Sequence, residues 1–146
     1  MTFEKATAQD TGMLTELRIA YLQEDLGEIE AVDLELIESL LPGYYEKHLN
    51  RNLMVYVARN EKDIVSCAFL LIVEKPMSPS FITGKTGTVL NVYTKPEYRK
   101  KGYAKKLMNM MLDGNQKIRS QYMGEYLVDY SWSEGQTAFL DRFLHE

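Results

Sequence analysis

The chain has 146 residues, 45% of them apolar and 26% charged, which fits one globular domain and excludes a low-complexity polypeptide. A net charge of −4 and a single cysteine, Cys67, argue against a broad nucleic-acid-binding surface and exclude an internal disulfide, so a reducing compartment is expected. No apolar run approaches the roughly 20 residues of a membrane span, and Met1-Thr2-Phe3-Glu4-Lys5 lacks the basic and then apolar regions of a signal peptide, so a cytoplasmic protein is expected.

Residues 3–6 suit a short first strand. Asp10 is placed to cap a helix running to about Glu24, with Leu14, Leu17 and Tyr21 on its core face and Gly27 as its stop. The acidic run Glu24, Asp25, Glu28, Glu30, Asp33 and Glu35 around that break reads as a solvated loop. A second helical pattern runs from Leu34 through Ile37, Leu41, Tyr45 and Leu49 to about Asn50. Pro42-Gly43 interrupts it, and proline removes a donor and clashes with the preceding turn, so a kink or two short helices is expected.

Leu53 to Ala58 is continuously apolar, as in a strand buried on both faces. Asn60-Glu61-Lys62-Asp63 reads as a hairpin turn, and Ile64 to Glu74 returns as a long strand carrying Cys67 as a small core residue. A loop at 76–80 precedes a strand from Thr86 to Thr94, then a helix packing through Tyr103, Leu107, Met110 and Met111. Residues 126–130 are the one run suited to a fifth strand. No internal repeat or linker divides the chain, so residues 1–146 form a single domain in this reading.

The segment from Thr88 to Met111 is the most informative. An apolar strand enters the turn Arg99-Lys100-Lys101-Gly102-Tyr103-Ala104, and a helix follows. Helix N-termini carry unpaired N–H groups and a partial positive charge, so they attract anions. Gly102 lets the backbone approach a ligand closely, and Ala104 keeps the helix start uncrowded. Lys95, Arg99, Lys100, Lys101, Lys105 and Lys106 fall within twelve residues, a local attraction suited to one polyphosphate ligand.

Pro96 to Ala104 resembles the acyl-CoA-binding motif of the GNAT acetyltransferase superfamily, V/P-E-x-[RQ]-x-x-G-x-[GA], position by position. The resemblance implies an α/β fold, a central mixed sheet with helices on both faces, whose fourth and fifth strands splay to admit the cofactor. It implies an N-acetyltransferase that moves an acetyl group from acetyl-CoA to a primary amine of a small molecule or peptide. Arg99, Lys100, Lys101, Gly102, Tyr103 and Ala104 would cradle the CoA pyrophosphate, and Val92 and Thr94 on the fourth strand would pair with pantetheine. The segment between the first two helices would overlie the acceptor site, where the acidic run suits a cationic amine.

The Val92 N–H is the candidate for polarising the acetyl carbonyl. No carboxylate lies between Thr86 and Thr94, so Asn91 and Tyr93, on the opposite face of the strand, are the catalytic candidates, holding a water as base. For Asn91 the alternative is a structural polar group in a strand bulge. The family's acidic tyrosine on the last helix is replaced by Phe139 in Gly135-Gln136-Thr137-Ala138-Phe139, with Tyr126 or Tyr130 as substitutes. The likeness is strong to Leu112 and fades after Asp113, as in a divergent member or in a gene carrying a frameshift near that codon. A non-catalytic CoA-binding protein of the same fold is the alternative function. A homodimer is expected, and neither nucleic acid nor membrane is an expected partner.

Other motifs fail. Thr83-Gly84-Lys85-Thr86 lacks the first glycine of a P-loop, Pro79 standing there, and leads into a strand. With only His48 and His145 and no paired C-x-x-C, no metal site is expected. A G-x-S-x-G nucleophile elbow is absent.

Overall fold

The computed structural model describes the backbone of residues 1–79, 82, 84–122 and 129–132, and the side chains of these residues up to 112. Five strands form one sheet in the order β1 (Thr2–Lys5), β2 (Leu53–Asn60), β3 (Asp63–Glu74), β4 (Lys85–Thr94) and β5 (Asp129–Trp132). The first four are antiparallel and β5 runs parallel to β4, so the sheet is mixed. The helices are α1 (Thr11–Leu26), α2 (Ala31–His48) and α3 (Tyr103–Tyr122).

The apolar run of β2 has a simple cause. Val55 and Val57 pack with Leu14 and Leu17 of α1 and Tyr45 of α2, while Tyr56 and Ala58 pack with Leu107, Met108 and Met111 of α3. Alternate residues of one strand thus enter two cores, so every position is apolar. Tyr45, fully buried, donates its hydroxyl to the Leu14 carbonyl at 3.4 Å and fixes α2 on α1. The sheet therefore carries α1 and α2 on one face and α3 on the other, as the α/β reading expects.

Two local expectations are corrected. Asp10 precedes α1 but does not cap it with its side chain. Its carboxylate accepts the Thr7 N–H at 2.8 Å and both terminal nitrogens of Arg59 at 2.9 and 2.6 Å. Arg59 also holds Glu4, so the cluster staples β1, the turn at Ala8–Asp10 and β2 together. Pro42 lies inside one helix and does not divide it: α2 starts at Ala31 and continues to His48. Its packing through Tyr45 outweighs the single helical hydrogen bond that proline forgoes.

Gly27 ends α1 with φ 82° and donates its N–H to the Gln23 carbonyl. His48 closes α2, half-buried, with Nδ1 2.8 Å from Asn52 Oδ1. The Gly84-Lys85-Thr86 run leads directly into β4. Among the described residues no helix is long and apolar enough to cross a membrane.

Candidate functional site

The site begins at a defect in β4. In the register with β3, Tyr93 faces Cys67 and Leu90 faces Phe69, so Asn91 and Val92 together span the place of Ala68. Asn91 takes φ 50°, a left-handed conformation that a short polar side chain tolerates. It is fully buried and held from two sides. Its Oδ1 accepts from Arg18 Nη1 at 3.2 Å, and its Nδ2 lies 3.4 Å from Cys67 Sγ.

The bulge resets the alternation of side chains. Leu90 and Tyr93 pack with the α1 and α2 core, whereas Val89 and Val92 pack with the α3 core. Thr94 meets Ser66, hydroxyl to hydroxyl, at 2.7 Å. The described β4–β5 ladder pairs only Thr86 to Val89. β4 continues to Thr94 beyond it.

The turn after β4 has the geometry its sequence suggested. Pro96–Tyr98 make one 3-10 turn, Lys100 and Gly102 take φ 64° and 79°, and α3 starts at Tyr103. The first bond into the helix runs from the Lys106 N–H to the Gly102 carbonyl at 3.1 Å. Among the described residues, no carbonyl or side chain accepts the N–H groups of residues 100–105. Among the described residues, no atom beyond its chain neighbours lies within 4 Å of where a Cβ on Gly102 would stand. Lys100, Lys101 and Lys105 are exposed around this opening. Lys101 and Lys106 rest their ammonium groups over the rings of Tyr98 and Phe3, at 5.5 and 4.0 Å. Unaccepted N–H groups, a helix N-terminus and free space fit the diphosphate of a CoA-type cofactor.

The predicted site residues divide between this turn and the sheet. Gly102, Ala104, Lys100 and Lys101 stand at the opening, and Tyr103 turns inward against Phe3, with ring centroids 5.9 Å apart. The Arg99 side chain is engaged within the protein. Its guanidinium holds both oxygens of Glu24, its Nε donates to the Thr94 carbonyl at 2.8 Å, and it lies over the Tyr93 ring. Burial and the nearby Glu24 charge push the Tyr93 hydroxyl above its ordinary pKa, although Arg99 opposes this. Burial likewise drives the Cys67 thiol up to about 12.

On the α1 and α2 face, Arg18 joins the site through Asn91, a contact that sequence reading missed. Glu24, in the acidic run, is exposed as that reading expects and also fastens Arg99, a contact the sequence did not suggest. Phe139 and Tyr126 lie outside the described residues, as do the tail segment from Gly135 and His145; Tyr130 is described only as backbone in β5. Among the described residues no group of three His, Cys, Asp or Glu side chains is arranged to hold a metal ion.

Comparison with known proteins is consistent with this geometry. A family model described as the Acetyltransferase (GNAT) family matches residues 16–140. A search of the curated proteins finds no match. Among solved structures, a predicted acetyltransferase with acetyl-CoA from Clostridium acetobutylicum superposes with a TM-score of 0.75 at 20% identity, covering 97% of this chain and 87% of that one. A GCN5-related N-acetyltransferase from Ralstonia eutropha JMP134 gives 0.74 at 18% identity, covering 97% and 90%. A ribosomal-protein-alanine N-acetyltransferase from Brucella melitensis biovar Abortus 2308 gives 0.61 at 18% identity, covering 99% and 88%. At these identities the structural likeness speaks for the fold alone.

Proposed function

The chain belongs to the GNAT acetyltransferase family, and from that membership we propose that it transfers an acetyl group from acetyl-CoA to a primary amine of a small molecule or peptide. The observation that carries the reading is the run of unaccepted N–H groups at residues 100–105, opening onto free space at Gly102. Acetyl-CoA supplies the activated thioester carbonyl when bound. The rest is the work of this chain's residues.

Gly102, Tyr103 and Ala104 hold the diphosphate through backbone N–H groups, and Lys100, Lys101 and Lys105 add local positive charge. Val92 and Thr94 hold the pantetheine amides along the part of β4 beyond the described β5 ladder. Val92, in the bulge of β4, is the residue assigned to polarise the carbonyl oxygen through its N–H. Tyr93 stays neutral and orients a water or the incoming amine. Asn91, with both ends of its amide engaged, supports the bulge. Arg99 acts through position: it ties the turn to α1 and leaves diphosphate binding to the backbone.

The test is release of free CoA thiol from acetyl-CoA in the presence of a panel of primary amines. Amine-dependent release with an acetylated product identified by mass supports the proposal. Tight cofactor binding with no amine-dependent release favours the non-catalytic CoA-binding alternative.

A further inference from the structure

Arg18 occupies a position where the helical pattern of α1 calls for an apolar residue. Leu14, Arg18 and Tyr21 follow at i, i+4 and i+7, and Leu14 and Leu17 are buried in the core under the sheet. The guanidinium is partly buried, lies 5.6 Å from the Tyr21 ring centroid and donates Nη1 to Asn91. Its charge reaches Tyr44, Tyr45 and Cys67, whose pKa values are all raised, chiefly by burial, so none supplies a balancing negative charge.

Among the described residues Arg18 makes no ion pair, whereas Arg59 and Arg99 each do. A half-buried cation with no carboxylate beside it among the described residues carries a desolvation cost that an incoming anion relieves. Guanidinium presents five donors in a planar fork, and one of them is used here. The fork matches a carboxylate in two parallel bonds. Its place matters as much as its charge. Asn91 joins Arg18 to the bulge, and the next residue is Val92, assigned to the carbonyl. Arg18 also lies on the α1 and α2 face, opposite the side packed by α3.

We propose that the amine acceptor carries a carboxylate, and that Arg18 is the residue that reads it. This rests on the acetyl-transfer reading above. It adds an anionic group to the amine acceptor suggested by the acidic run: Glu24 of that run is tied to Arg99, and the charge at the bulge is positive.

The experiment measures kcat/KM with acetyl-CoA for free amino acids and dipeptides, for the C-terminal amide of each, and for phosphoethanolamine. It uses full-length wild type, Arg18→Gln and Arg18→Lys, each checked for folding by circular dichroism and for acetyl-CoA binding by calorimetry. Wild type is expected to favour acids over their amides by about 100-fold, the scale at which a site built for a charged group rejects a neutral analogue. Arg18→Gln is expected to bring that ratio close to one, through KM, and Arg18→Lys to restore part of it.

Equal use of acids and amides overturns the carboxylate assignment and leaves acetyl transfer standing. A fall in both series together under Arg18→Gln also overturns it, since support of Asn91 alone would do that. Preference for phosphoethanolamine, or acetyl-CoA binding with no acid acetylated, overturns it as well. If folded wild type neither binds nor consumes acetyl-CoA, the acetyl-transfer reading itself fails and this assignment falls with it.

Discussion

Arg99 grips both carboxylate oxygens of Glu24, at 2.8 and 2.6 Å, and so fastens the turn before α3 to the last turns of α1, 75 residues earlier in the chain. The two side chains are 38% and 52% exposed, so the pair adds little to global stability. Its effect is to hold the turn in one shape before a ligand arrives. Such ordering improves affinity by lowering the cost of binding.

Arg99→Met removes the Glu24 pair and the bond to the Thr94 carbonyl together. We expect an unfolding free energy within about 1 kcal/mol of wild type and an acetyl-CoA dissociation constant raised by about tenfold. Chemical denaturation and calorimetry on the same preparation separate the two effects. Equal affinity with unchanged stability would remove Arg99 from the positioning role.

Asp10 gives the fold a pH signature. Burial opposes its charge, but hydrogen bonds from Arg59 and Thr7, with the Arg59 charge, outweigh that and hold the carboxyl below its ordinary pKa. A carboxyl depressed in the folded state contributes stability that is complete above the unfolded pKa of about 3.9 and is lost as pH falls through the folded value. Wild type should therefore lose urea resistance below about pH 4 more steeply than Asp10→Asn. At pH 7 the variant should be less stable by about 3 kcal/mol, because it leaves Arg59 in a largely buried place with Glu4 alone. Parallel pH profiles for the two proteins would contradict this.

Asn91 combines a left-handed backbone with buried side-chain bonds, and two substitutions separate these. Asn91→Gly keeps the backbone conformation and loses the bonds to Arg18 and Cys67, at a cost of about 1–3 kcal/mol. Asn91→Ala loses the bonds and adds about 1 kcal/mol of left-handed strain. Alanine should therefore be the worse substitution in denaturant titrations, the reverse of the usual order within a strand. Greater stability for alanine would mean that the bulge is not built as described.

Cys67 should be chemically silent. It is fully buried and its thiol is pushed up to about 12, so the thiolate is scarce at neutral pH. A thiol reagent at pH 7.5 should label the native protein only as fast as it unfolds, and Cys67→Ser should retain turnover. Rapid labelling with loss of activity would place a nucleophile where none is assigned.

The parts legible in the sequence are those decided locally. The turn at Pro96 to Ala104 follows from Gly102 and the helix start, and the two-sided burial of β2 follows from its unbroken apolar run. What was not legible depends on distant partners. Asp10 looks like a helix cap until Arg59, 49 positions away, claims its carboxylate. Arg18 looks like an ordinary helix arginine until Asn91, 73 positions away, meets it at the bulge. Glu24 is solvated, as its sequence suggests, but its pairing with Arg99, 75 positions away, was not legible. Pro42 misleads for another reason: local propensity predicts a break, and the packing of Tyr45 and Leu41 against the sheet carries the helix through it.

The central claim is that the turn at Gly102 receives acetyl-CoA. Calorimetry of acetyl-CoA against wild type and Gly102→Glu tests it most directly. The substitution puts a carboxylate into the open space in front of the unaccepted N–H groups, and its Cβ meets no described atom beyond the chain neighbours within 4 Å, so its folding cost is about 1 kcal/mol of left-handed strain. The account predicts micromolar binding by wild type and none measurable in a folded Gly102→Glu. Equal binding by both proteins, or no binding by folded wild type, would contradict it.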